Sequence, residues 1–249
     1  MTKTSLLLAA VAILKLTSGP SCLAQTTEVL VFSDNFSSYQ KSCWTDGATF
    51  GQWAVVWAGY GCVGATSDST GTWLNETPAN NTGQARSALT IGPNPWSSWP
   101  GNDSYTYNVS LKTVSQLSKN PKNWNVAWFI WDYSNPNSFY TIVLKTTGWE
   151  LDKEYATSTG TQTACFLATG SKDKFPIGAT YNLQVTDSNV NGVHTMSVTV
   201  SGGSYTIPKT LATITDSGAC GIQPYSSGNI ALYTEAASAD FTNVQITTP

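Results

Sequence analysis

The sequence predicts an all-β domain, a sandwich or barrel of antiparallel strands. Nine short segments either alternate apolar and polar residues or are rich in β-branched and aromatic residues, which is typical of strands. Clusters of Gly, Pro, Asn and Ser separate them, and the chain shows neither a long helical period nor an internal repeat. Many short strands joined by turns are typical of sandwiches and barrels.

The elements follow in order along the chain. The predicted strands are 28–32, 52–57, 105–114, 126–132, 139–145, 181–186, 193–200, 230–234 and 241–247. The strongest turn signals lie at 134–137, 146–148, 188–192 and 201–203. Residues 92–101, rich in Pro, Trp and Ser, predict a long loop over one face.

The first 24 residues are typical of a secretory signal peptide. Lys3 supplies the positive start, 6–14 is an apolar run too short to span a bilayer, and 21–24 offers small residues for cleavage. We therefore expect a secreted protein without a membrane anchor. Its mature part would be a single domain over 25–249, a length that suits one sandwich or barrel.

The composition argues against a nucleic-acid partner and for a neutral polar surface. The chain has 12 basic and 15 acidic residues, and the signal segment carries Lys3 and Lys15, which leaves a net charge of −5. Nucleic-acid binders carry a basic patch that this balance does not suggest. Only 11% of the residues are charged, so Thr, Ser, Asn and aromatic residues make up much of the surface.

Four cysteines remain after the signal segment, and an even set in an oxidising compartment predicts two disulfides. Three pairings are possible, and Cys43–Cys62 with Cys165–Cys220 is favoured because each closes the shorter loop. A zinc site is disfavoured because the chain has no CxxC and one His. N-glycosylation sequons occur at Asn35, Asn75, Asn80, Asn102 and Asn108.

The strand 126–132 is apolar on both faces. Alternation places Trp128 on one side and Trp131 on the other, so this strand is expected to be covered on both sides. It is expected to pair with 139–145 across the turn at 134–137. Whichever Trp faces outward is predicted to contact a ligand, with Asp132 or Tyr140 supplying hydrogen bonds.

Several short segments resemble concanavalin A-like jelly rolls, a superfamily that includes legume-type lectins, laminin-G-like modules, family 16 glucanases and several polysaccharide lyases. FSDNF at 32–36 and ADFTNV at 239–244 resemble its paired terminal strands. SGNIALY at 227–233 resembles the strand that often precedes the last one, and NSFY at 137–140 resembles another strand of these folds. The resemblance implies a two-sheet antiparallel β-sandwich, a jelly roll, with ligand on the concave sheet.

Glu150, Asp152 and Glu154 match E-x-D-x-E, the pattern that family 16 glycosidases carry on a concave strand. The resemblance implies that Glu150 is the nucleophile, Glu154 the acid/base, and Asp152 a modulator of their pKa values. Leu151 fits the family's apolar inward positions. Lys153 departs from them, because a buried Lys is costly unless it is paired. The alternative is a charged hairpin arm in solvent.

Arg86 is the only Arg of the chain and His194 the only His. A lyase that acts on uronates must neutralise a carboxylate and abstract the adjacent proton, and Gln84, Arg86 and Tyr140 could form such a set. The alternative is that Arg86 is a surface cation and His194 a partly buried strand residue.

Asp34 and Asp240 are predicted to meet where the first and last strands pair. Folds of this type often hold one structural calcium there, and calcium takes oxygen ligands. The alternative is two solvated or capping acids.

The functional hypotheses converge on an extracellular polysaccharide as the partner of a monomeric protein. The E-x-D-x-E match favours, by a small margin, an enzyme that cleaves a cell-wall or matrix glycan. The alternative is a non-catalytic lectin, which needs only aromatic residues and amides to bind sugar. The excess of Trp agrees with either function. A polysaccharide lyase and a structural coat protein are further alternatives.

Overall fold

Two antiparallel sheets of eight strands each pack face to face in the computed structural model, which describes residues 28–40, 42–79 and 87–249. This is the predicted two-sheet β-sandwich. The predicted signal segment, 1–24, lies outside the described residues. None of the described helices has the length and apolar character needed to cross a membrane.

The first sheet, called sheet A, has the order β14-β13-β12-β7-β16-β5-β4, and β1 also pairs with β16. Its strands are β1 (Val29–Asp34), β4 (Cys62–Asp68), β5 (Gly71–Thr77), β7 (Ser104–Gln116), β12 (Tyr181–Val190), β13 (Val193–Gly202), β14 (Tyr205–Asp216) and β16 (Ala237–Thr248).

The second sheet, called sheet B, has the order β11-β10-β9-β8-β15-β6-β3-β2. Its strands are β2 (Thr49–Phe50), β3 (Trp53–Trp57), β6 (Ala88–Ile91), β8 (Ala127–Asn135), β9 (Ser138–Lys145), β10 (Gly148–Ala156), β11 (Gln162–Gly170) and β15 (Asn229–Thr234).

All nine predicted strands are present, and the two predicted pairings are confirmed. The first and last strands pair antiparallel, and β8 and β9 form a hairpin across the turn at 136–137. Strands β2, β4, β5, β6, β11 and β14 were not predicted from the sequence, and β10 was implied only by the resemblance of 150–154. Segments such as β4, CVGATSD, lack apolar alternation, and their ladder to a neighbour makes them strands.

The main core lies between the sheets and draws on both of them. Large buried side chains alternate along the inner faces, among them Tyr107 on β7, Phe129 and Trp131 on β8, and Val198 on β13. A second, smaller apolar cluster lies on the outer face of sheet B and includes Ile130 and Phe139. Sheet B is therefore apolar on both faces, as the strand 126–132 predicted.

The segment 92–101 is more ordered than the predicted loop. It contains the short helix α1 (Pro95–Ser98), which begins at an Asn94 side chain that accepts a hydrogen bond from the backbone N–H of Ser97 at 3.2 Å. The Trp96 and Trp99 rings pack against the main core instead of lying over an outer face. This segment closes one end of the sandwich.

Both expected disulfides form. Cys43 is bonded to Cys62 and Cys165 to Cys220, with Cα–Cα distances of 5.1 and 6.1 Å. The first ties the segment before β2 to β4. The second ties β11, the edge strand of sheet B, to the chain that follows β14 of sheet A, so it links the two layers.

Candidate ligand-binding cleft

The outer face of sheet B carries a cleft formed by two adjoining cavities that share Trp128. One cavity has a volume of about 150 Å³ and the other about 330 Å³. Residue 128 faces outward on β8 because Ala127 and Phe129 point into the core on either side of it. Trp128 thus forms the boundary between two parts of different chemistry.

The smaller cavity is mainly aromatic. Its lining residues are Trp57, Leu89, Trp128, Ile130, Tyr133, Pro136, Phe139, Gln162, Tyr233 and Glu235. The ring of Tyr233 meets that of Trp128 edge to face, with 5.1 Å between centroids. Such contacts hold the two rings in fixed orientations.

The larger cavity combines three acids with three aromatic residues. It is lined by Asn123, Trp124, Trp128, Lys145, Glu150, Asp152, Glu154, Ala164 and Phe166. The three acids come from β10, where alternation sends Glu150, Asp152 and Glu154 to the outer face. The acids therefore lie on one face, and the alternative of a solvated hairpin arm is wrong because β10 is an interior strand of sheet B.

The three acids differ in their electrostatic environment. Glu150 forms an ion pair with Lys145, whereas Glu154 accepts a hydrogen bond from the Gln162 amide at 3.2 Å. Burial, followed by the charges of Glu150 and Glu154, raises the pKa of Asp152 to about 8. Burial also raises the pKa of Glu154. The arrangement thus separates one ion-paired carboxylate from two acids that hold their protons more tightly than usual.

Lys153 no longer counts against this arrangement. It points into the core beside Leu151, fully buried, and its ammonium lies 2.8 Å from Asp216 Oδ2. It also donates to the carbonyl oxygen of Ile222 at 2.5 Å, and the ring of Tyr225 lies 5.4 Å away. The inward position that the family fills with an apolar residue is here filled by a charge with its own partner.

Three predicted ligand contacts are corrected by the structure. Trp131, Asp132 and Tyr140 are almost completely buried between the sheets. Trp131 and Tyr140 follow the inward side of the alternation, and the Tyr140 hydroxyl donates to Asp216 at 2.7 Å. Asp132 would face outward by alternation, but its φ of 53° breaks the register between β8 and β9 and turns its carboxyl inward.

Only one member of the uronate-lyase set lies in the described part of the chain. Tyr140 lies in the core, away from the cleft, and Arg86 and Gln84 lie outside the described residues. His194, expected to be partly buried, is completely buried at the start of β13.

The predicted calcium pair, Asp34 and Asp240, is also corrected. Asp34 lies opposite Val244 in the β1–β16 ladder, four residues from Asp240, about 13 Å along a strand. Its oxygens accept from the Phe36 N–H, the Tyr39 hydroxyl and the Trp53 indole. Asp240 instead bonds to Lys112, at 2.8 Å, and to Asn75. These donor-filled oxygens do not fit a shared cation.

The sequons differ in how free their side chains are. Asn35 is exposed, whereas Asn75 and Asn102 donate their amide N–H groups to Asp240 and to the Trp99 carbonyl. Asn108 is partly buried and accepts from Gln184, and Asn80 lies outside the described residues. Glycosylation at these positions stays a prediction, and Asn35 is the most accessible of the described sites.

Sequence reasoning missed several residues of the cleft. Phe166 and Gln162 come from β11, which carries no motif. Tyr233 ends the segment 227–233 that was matched to the fold but not to a ligand, and Lys145 was taken only as the end of a strand. The sequence offered no signal for Phe166 beyond an aromatic residue after Cys165, and its 61% exposure is visible only in the folded protein.

The sequence matches no protein-family model, and no curated protein is similar to it. Its fold is similar to solved legume-lectin structures. Peanut lectin with a nine-residue peptide is 12% identical, with a TM-score of 0.52 over 90% of this chain and 98% of that one. The acidic winged bean lectin complexed with methyl-α-D-galactose is 11% identical, with a TM-score of 0.51 over 87% and 98%.

The basic winged bean lectin with Tn-antigen is 10% identical, with a TM-score of 0.50 over 90% of this chain and 99% of that one. At such identities the likeness shows the fold alone. The predicted concanavalin A-like jelly roll is thereby confirmed.

Proposed function

We propose that this protein is an extracellular carbohydrate-binding protein that holds a neutral glycan in the cleft on the outer face of sheet B. The observation that carries the proposal is the position of Trp128. Its partly exposed ring lies between an aromatic cavity and a cavity lined by carboxylates. The sugar complexes of two of the similar lectins support the same class of ligand.

A saccharide matches both kinds of lining. Its C–H faces pack on aromatic rings, and Trp124, Trp128 and Phe166 all border the larger cavity. Its hydroxyls donate to carboxylates and amides such as Glu154 and Gln162. Ligand sites typically combine a mostly apolar lining with a few well-placed polar groups.

The charge of the cleft favours a neutral sugar over a uronate. The described lining of the larger cavity holds three acids and one cation, Lys145, which is already paired with Glu150. A uronate carboxylate placed there would find no cation that is not already paired.

Two disulfides support an extracellular site of action, because such bonds persist in oxidising compartments. The proposal includes a role for residues 1–24 as the signal peptide that directs the chain to secretion.

The test is retention on a panel of insoluble neutral glucans, galactans, mannans and chitin, with a polyuronate as the charged comparison. Trp128→Ala should weaken binding about tenfold, because burying one ring against sugar contributes on the order of 1–2 kcal/mol. Trp128→Phe should keep most of the affinity. Ile207→Ala, an exposed apolar position on sheet A, is the control. A folded Trp128→Ala protein with unchanged retention would show that the cleft is not the binding surface.

A second candidate function, glycoside hydrolysis, is favoured by one observation. Glu150, Asp152 and Glu154 share one face of the cleft, the first ion-paired and the other two with raised pKa values. A retaining glycosidase needs such a difference, with an ionised nucleophile and a protonated acid. Glu150 would be the nucleophile and Glu154 the acid/base.

Glu150→Gln separates the two functions. If the protein hydrolyses its glycan, this variant should lose the release of reducing ends while keeping its retention on the polysaccharide. If the wild-type protein binds glycan but releases no reducing ends from any polymer of the panel, hydrolysis is excluded and binding remains the proposed function.

A further inference from the structure

Three polar side chains that take no part in the cleft meet inside the main core. Asp132 comes from β8 of sheet B, and Asp187 and His194 come from β12 and β13 of sheet A. All three are buried, and one candidate ligand atom from each lies within 4.8 Å of the others. The cluster therefore spans the gap between the two layers.

Each member occupies an inward position for a definite reason. Asp187 continues the core-facing alternation of Leu183 and Val185 on β12, and His194 begins that of Met196 on β13. Asp132 joins them through its left-handed backbone conformation. Apolar residues would fill these positions at far lower cost, because burying polar groups opposes folding.

Some polar atoms of the cluster and beside it make no hydrogen bond. Asp132 Oδ1 accepts from the Trp96 indole at 2.6 Å, and His194 Nδ1 lies 2.8 and 3.1 Å from the two Asp187 oxygens. Asp132 Oδ2, His194 Nε2 and the buried Tyr107 hydroxyl have no hydrogen-bond partner among the described residues. Buried polar atoms in folded proteins are almost always paired, so these orphans indicate a missing group.

The charges lead to the same conclusion. The buried ammonium of Lys153 is engaged by Asp216, and none of the ion pairs between described residues brings a Lys or Arg to Asp132 or Asp187. One imidazolium could balance only one of two carboxylates. A bound divalent cation is often the largest local charge in a site and would balance both.

We propose that Asp132, Asp187 and His194 hold a divalent transition-metal ion between the two sheets. Zinc and manganese are the chemical class that fits, since carboxylate and imidazole donors suit them, whereas calcium takes oxygen ligands. Ligands bound at about 2.1 Å with tetrahedral angles lie about 3.4 Å from one another, so ligand atoms up to 4.8 Å apart would approach by up to about 1.4 Å when the ion binds. The ion would join the layers as a structural metal.

The competing way to neutralise the cluster is protonation. Burial and the Asp187 charge raise the pKa of Asp132 well above its usual value, so a proton on this carboxyl is the alternative occupant. A protein that holds a metal ion at this cluster differs from one that holds a proton there in its metal content and in the response of its refolding to added metal.

The experiment uses full-length protein purified without metal-affinity resin and dialysed exhaustively. Elemental analysis should find about one zinc or manganese per chain in the wild type. The Asp187→Asn/His194→Gln protein should hold less than a tenth of that. Asp173→Asn, an acid at the surface of the sandwich, should keep the full content.

Refolding of the wild type keeps the test decisive even if the double variant fails to fold. Refolding with zinc or manganese should give a melting temperature roughly 5–10 °C above that obtained with chelator, as expected for a ligand at a hundredfold its dissociation constant. Wild type without metal, and with equal melting temperatures in both refolding arms, would overturn the proposal in favour of protonation. Equal metal content in the double variant would also overturn it.

Discussion

Replacing Lys153 by methionine tests whether the ion pair in the core supports the fold. The Lys153 ammonium and the Asp216 carboxylate are 2.8 Å apart, and both side chains are inaccessible to solvent. Methionine matches the length of the lysine stem and fits irregular core spaces, so the change removes the charge with little change in packing. The Asp216 charge then stays buried without its counter-ion.

The expected loss follows from what Asp216 retains. Removing one partner of a buried pair costs about 3–5 kcal/mol. Asp216 keeps three donors, the Tyr140 hydroxyl and the backbone N–H groups of Gly218 and Ala219, so we expect the lower end, about 3 kcal/mol. Asp216→Asn should cost more, because Lys153 keeps only the Ile222 carbonyl and the faces of two rings.

Chemical denaturation of the purified variants measures these changes. A loss of about 3 kcal/mol lowers the melting temperature by roughly 6–12 °C in a domain of this size. Lys209→Met is the matched control, because the Lys209 side chain is 47% exposed and the loss of its pair with Asp173 should leave stability unchanged within error. The double variant Lys153→Met/Asp216→Asn should be more stable than the sum of the single losses predicts.

A Lys153→Met protein whose unfolding free energy lies within about 1 kcal/mol of wild type would refute this reasoning. It would mean that Asp216 is protonated or hydrated in the folded protein. Burial acts to raise the pKa of Asp216, but the Lys153 ammonium and the N–H donors outweigh it, so the pKa lies below its usual value.

Two further predictions concern pH and the disulfides. Because the folded state holds the Asp152 proton up to a pKa of about 8, this group's contribution to stability is complete below pH 4 and is lost as pH rises towards 8. The free energy of unfolding of Asp152→Asn should therefore rise relative to that of wild type as the pH increases from 5 to 7.5. The same difference between variant and wild type at pH 5 and at pH 7.5 would contradict the raised pKa of Asp152. Removing Cys165–Cys220 should destabilise by about 4 kcal/mol and removing Cys43–Cys62 by about 3, because the closed loops span 55 and 19 residues. Denaturation of the paired Cys→Ala variants measures both, and a larger loss for the shorter loop would contradict the chain-entropy reasoning.

The sequence was sufficient for features that depend on local pattern. Alternation predicted the nine strands and the two-faced character of strand 126–132, and the even cysteine count predicted the disulfides. Alternation also placed Glu150, Asp152 and Glu154 on one face, and the structure places that face in the cleft. These inferences hold because side chains alternate along any extended strand, whatever its neighbours.

Tertiary structure decided which partner each buried charge finds at a distance along the sequence. Lys153 counted against the acidic face until Asp216, 63 residues later, proved to neutralise it. Asp132 and Asp187 became part of an internal cluster because a single left-handed residue reversed the alternation and two sheets came together. Asp34 and Asp240 were separated by the register of the terminal strands. Local sequence sets which face a residue occupies, but the free energy of a buried charge depends on long-range contacts, which only the folded chain specifies.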